Sequence, residues 1–110
     1  MIEKELTILN KIYDIIYNGC TKNFDSFEYI YKINKIENWE SMRVVYLENG
    51  NIISQNDFEY INEESLEYLT KELHIIMFNR TGGEWTKMTL SFMNNQVNTK
   101  FSYENQSILT

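Results

Sequence analysis

The stretch Glu84-Trp85-Thr86-Lys87-Met88-Thr89-Leu90-Ser91-Phe92, continuing to Glu104, constrains the fold more than any other part of the chain. Met88, Leu90 and Phe92 alternate with Lys87, Thr89 and Ser91. After Asn94-Asn95, the residues Val97, Thr99, Phe101 and Tyr103 alternate with Asn98, Lys100 and Ser102. Alternation on both sides of a turn signal predicts a half-buried β-hairpin, because successive side chains of a strand point to opposite faces. Asn accepts positive φ, so Asn94-Asn95 can make the reversal, although Asn-Gly is the stronger signal for such a turn. A two-stranded hairpin is marginal alone, so the rest of the chain must cover its apolar face.

The preceding segments provide candidate covers. Residues 2–18 read as an amphipathic helix with a stripe of Ile2, Leu6, Leu9, Tyr13 and Ile16, and with Ile12 beside it. Glu3, Lys4, Glu5, Lys11 and Asp14 fall mostly outside that stripe, and Asn18-Gly19 ends it, Gly being the residue that accepts a left-handed cap. A chain of 110 residues needs every apolar face for its one core, so the stripe is read as core rather than as a partner's docking face. Phe27, Tyr29, Tyr31 and Ile33 alternate with Glu28, Ile30 and Lys32, which predicts a strand, and Asn34-Lys35 is placed as the turn after it. A second strand spans Trp39 to Leu47, and Asn49-Gly50 turns the chain into a short third strand at Ile52-Ile53-Ser54. Gln55 to Tyr60 has no clear period, and its Asp57 and Glu59 are expected at the surface.

A second helix is expected from Asn62 to about Asn79, with Asn62 as N-cap and Glu63 and Glu64 where the helix dipole favours negative charge. Its stripe is Leu66, Leu69, Leu73, Ile76 and Met77, and Thr81-Gly82-Gly83 ends it. The expectation is a single α+β domain over residues 1–110. It consists of an antiparallel β-sheet with two helices packed on one face, in the order α-β-β-(β)-α-β-β.

Charge narrows the function. Lys and Arg number 10 against 16 Asp and Glu, for a net charge of −6. That balance disfavours direct binding of nucleic acid or of an anionic membrane surface, and it favours a basic partner. Cys20 is the single cysteine, so no internal disulfide forms. The start Met1-Ile2-Glu3-Lys4-Glu5 is no secretory leader and no apolar run is long enough to span a bilayer, so a cytoplasmic protein is expected.

Chemistry-bearing groups are sparse. His74 is the one histidine, set between Leu73 and Ile75 on a helix, and is read as structural. Cys20 follows a helix C-terminus, whose partial negative charge opposes a reactive thiolate. Glu59, Glu63, Glu64, Glu67 and Glu72 include no carboxylate pair whose separation the sequence can establish, and acids along a helix usually form its solvated face. Gly82-Gly83 lacks the remaining glycines and the lysine of a phosphate-cradling loop. Tyr29, Tyr31, Tyr46, Trp85, Phe101 and Tyr103 are read as cross-strand pairs in preference to a stacking platform for bases. No catalytic activity, metal site or cofactor is expected.

The sequence also resembles a known family. Glu84-Trp85-Thr86-Lys87-Met88-Thr89-Leu90-Ser91-Phe92, with Val97, Thr99, Phe101 and Tyr103-Glu104 after the turn, looks like the closing hairpin of YezG-like proteins. In that family a tryptophan opens a Thr/Leu-alternating strand and the return strand ends in aromatic and acidic residues. The helix Ser65-Leu66-Glu67-Tyr68-Leu69-Thr70-Lys71-Glu72-Leu73 is similar to the one preceding that hairpin, and Ile2–Tyr17 resembles the opening helix. YezG-like proteins are antitoxins, or immunity proteins, which bind and neutralise a secreted bacterial toxin, commonly a nuclease. The resemblance implies that role and a cognate toxin as partner. It transfers no binding residues. Charge and expected exposure alone select Glu37, Trp39, Glu40, Glu48, Asp57, Glu59, Tyr60, Glu63 and Glu64. The alternative is a small-ligand binding module, or an accessory subunit, with a cleft between sheet and helix.

Overall fold

A computed structural model describes residues 2–54 and 61–107. The chain is α+β, in the order α1 (Glu3–Tyr17), β1 (Ser26–Asn34), β2 (Trp39–Glu48), β3 (Asn51–Ile52), α2 (Glu63–Thr81), β4 (Lys87–Met93) and β5 (Gln96–Ser102). It divides into two compact units. The described residues of Met1–Asn23 and Ile53–Glu84 hold the helices, and those of Phe24–Ile52 and Trp85–Thr110 hold the sheet.

The sheet is antiparallel throughout, in the order β3-β2-β1-β4-β5. β1 is therefore central, with β2 on one side and β4 on the other. Its alternation sets the faces. Phe27 sits between Tyr46 and Phe92, Tyr29 between Val44 and Leu90, and Tyr31 between Met42 and Met88. Phe27, Tyr29, Tyr31, Tyr46, Met88 and Leu90 are all buried. The rings pair across strands, with Phe27 and Phe92 stacked at 5.4 Å between centroids and Phe27 edge-on to Tyr46 at 6.0 Å. Trp85 is fully buried between Tyr31, at 6.1 Å, and Phe101, at 5.5 Å. Four of the six aromatic residues weighed as a base-stacking platform, Tyr29, Tyr31, Tyr46 and Trp85, are thus sealed from solvent.

Asparagines make the turns. Asn94 and Asn95 have φ of 53° and 60°, and Asn49 and Gly50 have 53° and 81°, the paired positive values of a type I′ hairpin. The β1–β2 connection differs from the expected turn at Asn34-Lys35. Asn34 is the last residue of β1, and Lys35 opens a four-residue reversal over 35–38 that uses Asn38 at φ 58°. The third strand is also shorter than expected and stops at Ile52.

In the helical unit, α2 begins and ends as expected. The Asn62 side chain accepts from Ser65 N at 3.0 Å, and Gly82 caps the C-terminus at φ 74°. α1 ends differently: Asn18, at φ −90°, folds its own amide back to Asp14 O at 2.8 Å, and Gly19 does not adopt positive φ. The apolar stripes are rotated from those expected. α1 buries Glu5, Ile8, Leu9, Ile12 and Ile16, while Ile2 and Leu6 are 47% and 49% exposed. α2 buries Leu66, Thr70, Leu73, His74 and Met77, leaving Leu69 and Ile76 half-buried. The altered face of α1 carries a cross-helix ion pair. Arg80 donates to Glu5 through Nε at 2.5 Å and Nη2 at 3.1 Å, which holds the Glu5 carboxylate fully buried.

Candidate partner-binding surface

Two of the nine candidate residues, Glu37 and Trp39, meet at the closed end of the β1–β2 hairpin, and a third, Glu40, lies at that end on the other face of the sheet. Asn34 ends β1 and organises the turn: its Oδ1 accepts from Glu37 N at 2.9 Å and its Nδ2 donates to Glu37 Oε1 at 3.0 Å. The same Oε1 accepts from Trp39 Nε1 at 3.1 Å. A carboxylate is acceptor-only, so two N–H groups converging on Oε1 fix its orientation. Oε2 takes no hydrogen bond from a described residue and points no donor of its own at a partner. On the neighbouring position of β2, Glu40 Oε2 accepts from the hydroxyl of the buried Tyr31 at 3.0 Å. Glu37 and Glu40 are exposed and Trp39 is half-buried. Trp39 and Glu40 are consecutive in β2 and so lie on opposite faces of the sheet, Glu40 on the face of Tyr31 and Trp39 on the other with Glu37. The oriented Glu37 carboxylate beside the Trp39 indole makes a surface suited to a cation, most of all to a guanidinium, which forks onto carboxylate and stacks on aromatic faces.

The other candidates do not join this cluster. Glu48 is exposed at the far end of β2, about 26 Å along the strand from Glu40 at ~3.3 Å per residue. Glu63 and Glu64 are exposed in the first turn of α2, in the helical unit. Asp57, Glu59 and Tyr60 lie outside the described residues.

The supporting residues Asn34 and Tyr31 were missed by reasoning from charge and exposure. Asn34 carries a legible signal, since Asn beside a turn commonly bonds backbone two or three residues on. Tyr31 carries none, because its link to Glu40 depends on strand register.

Among the described residues, no group of three His, Cys, Asp or Glu is placed to hold a metal ion, and no helix is long and apolar enough to cross a membrane. No protein-family model matches the chain. No curated protein matches it in sequence.

Proposed function

We propose that this chain is an immunity protein that binds a toxin domain directly and neutralises it in the cytoplasm, the toxin being a basic protein and commonly a nuclease. The observation that supports the reading is the Glu37 carboxylate held beside Trp39 by Asn34, at the closed end of the β1–β2 hairpin on a chain of net charge −6. The resemblance of the closing hairpin to YezG-like proteins supports the same role. A nuclease presents cations where phosphates bind, and preoriented carboxylates can occupy that place. Charge complementarity also speeds encounter, which matters when an escaped toxin is lethal.

The test uses the product of a neighbouring gene that ends in a toxin-like domain. Affinity is measured for the wild-type chain and for E37K, with loss of protection scored in cells. The expected result is a complex weakened by about tenfold or more in the variant, as for close charge pairs across an interface. Equal affinities would remove this cluster as the contact, and absence of any complex would overturn the immunity role.

A further inference from the structure

The face of the sheet opposite the aromatic core carries a concentration of positive charge that the overall balance conceals. Register places two rows of side chains across β2, β1, β4 and β5. One reads Arg43, Ile30, Thr89, Lys100, and the next reads Ser41, Lys32, Lys87, Ser102. Four of the ten cations of the chain therefore lie in two adjacent rows. Strands sit about 4.8 Å apart and same-face residues about 6.6 Å apart along a strand, so the group spans only about 15 Å by 7 Å.

Its internal arrangement is unfavourable. Lys32 stands directly opposite Lys87, and like charges so placed destabilise a sheet. Lys32 is 6% exposed, and its ammonium donates to Ser107 O at 3.4 Å. None of Lys32, Arg43, Lys87 and Lys100 forms an ion pair with a described residue. The one carboxylate on this face of β1, Glu28, lies a row away from Arg43, between Val45 and Ser91. Burying a cation against another cation is costly unless an anion accompanies them.

We propose that this face is a second docking surface, for an extended acidic segment of a protein partner. Lys32 is covered by residues 106 and 107, so the accessible cations are Lys87, Arg43 and Lys100. Acidic residues two apart in an extended segment repeat at about the spacing of the two rows, so successive carboxylates can meet Lys87 in one row and Arg43 or Lys100 in the next. Thr89, Ser41 and Ser102 stand between the cations as neutral hydrogen-bonding groups. A protein segment fits better than a polynucleotide because the rest of the chain is strongly acidic and repels a long phosphate backbone. The inference stands on register and charge and does not depend on the immunity role.

The test titrates an oligoglutamate peptide into the labelled full chain and follows backbone amide signals. An oligoadenylate of equal charge is titrated alongside, and sedimentation over a range of protein concentration is recorded. The expected result is salt-sensitive shifts at Ile30, Lys32, Arg43, Lys87, Thr89 and Lys100 with the peptide. K87E/K100E should weaken the peptide by about tenfold. K87E alone should raise the melting temperature, because it converts the opposed lysines into an opposite-charge pair. R43E is a second probe, away from the opposed lysines, and should weaken the peptide by about fivefold. The proposal is overturned if the peptide moves no signal on this face, if the oligoadenylate binds more tightly, or if the chain self-associates through it. A K87E melting temperature at or below wild type would also count against it.

Discussion

The sheet unit and the helical unit respond differently to the same kind of sequence pattern. In the sheet, one buried residue identifies the rest of its face, because the side-chain period is two. Tyr29 inside implies Phe27 and Tyr31 inside, and all three are buried. On a helix the period of 3.6 leaves neighbouring stripes nearly equivalent, so a single polar pair can decide between them. In α1, Leu9, Ile12 and Ile16 of the expected stripe are buried, but Glu5 and Ile8 complete the buried face in place of Ile2 and Leu6. Arg80 bonds Glu5 on that face. The sheet follows hydrophobic pattern, whereas α1 and α2 meet through an ion pair that pattern does not show.

The largest test of that contrast lies in the sheet's aromatic core. Trp85→Ala removes the ring held between Tyr31 and Phe101 and should cost about 4 kcal/mol. Small domains have total stabilities of about 5–15 kcal/mol, so the variant should be near its unfolding threshold at ambient temperature. Urea denaturation followed by near-ultraviolet circular dichroism measures it. A loss under about 1 kcal/mol would mean that the cross-strand rings do not carry the sheet.

Next in size is the ion pair. Arg80→Ala leaves the Glu5 carboxylate buried without its guanidinium and should cost about 3 kcal/mol. Replacing both partners, as E5M/R80M, should recover most of that loss, since a well-packed apolar pair often equals a buried ionic one. If the double variant is as unstable as Arg80→Ala, packing rather than charge sets the helix rotation. By contrast, the exposed pair of Lys71 and Glu67, at 2.8 Å, should contribute only about 0.4 kcal/mol.

The same contrast explains what was legible in the sequence. Turns at Asn49-Gly50 and Asn94-Asn95, the cap at Asn62 and the stop at Gly82 follow from local backbone chemistry, and each is where composition places it. The buried faces of β1 and β4 follow from alternation. Glu5 was not legible as a core residue because its partner lies 75 positions away. The four cations of the sheet face opposite the aromatic rings were equally hidden. Lys32 and Lys87 become neighbours only through the pairing of β1 with β4, and no local signal specifies which strands pair. Of the candidates, Glu37 and Trp39 are close in sequence and are brought together by the turn, whereas Glu40 follows Trp39 in β2 and so takes the opposite face, and Glu48 sits at the other end of that strand.

A smaller effect probes backbone conformation in the helical unit. Gly82→Ala meets open space at the position of the new Cβ, so its cost is conformational alone and should be about 1 kcal/mol for an L-residue at φ 74°. Thermal unfolding measures it. A neutral result would show that α2 can end one residue earlier without loss.

The smallest effect has the opposite sign and lies in the sheet unit. Asn95 is the second central residue of the β4–β5 turn, at φ 60°, where glycine is preferred after asparagine. Asn95→Gly relieves the left-handed strain of a residue with a Cβ, while the freer unfolded chain offsets part of the gain, so the net stabilisation should be about 0.5 kcal/mol. Because the turn sets hairpin register, extra amide-exchange protection should appear across the pairs Phe92–Val97 and Leu90–Thr99. A hairpin limited by its turn gains protection there. A hairpin limited by the aromatic face under β4 gains none, and that outcome would move control of the register from Asn94-Asn95 to Trp85 and Phe101.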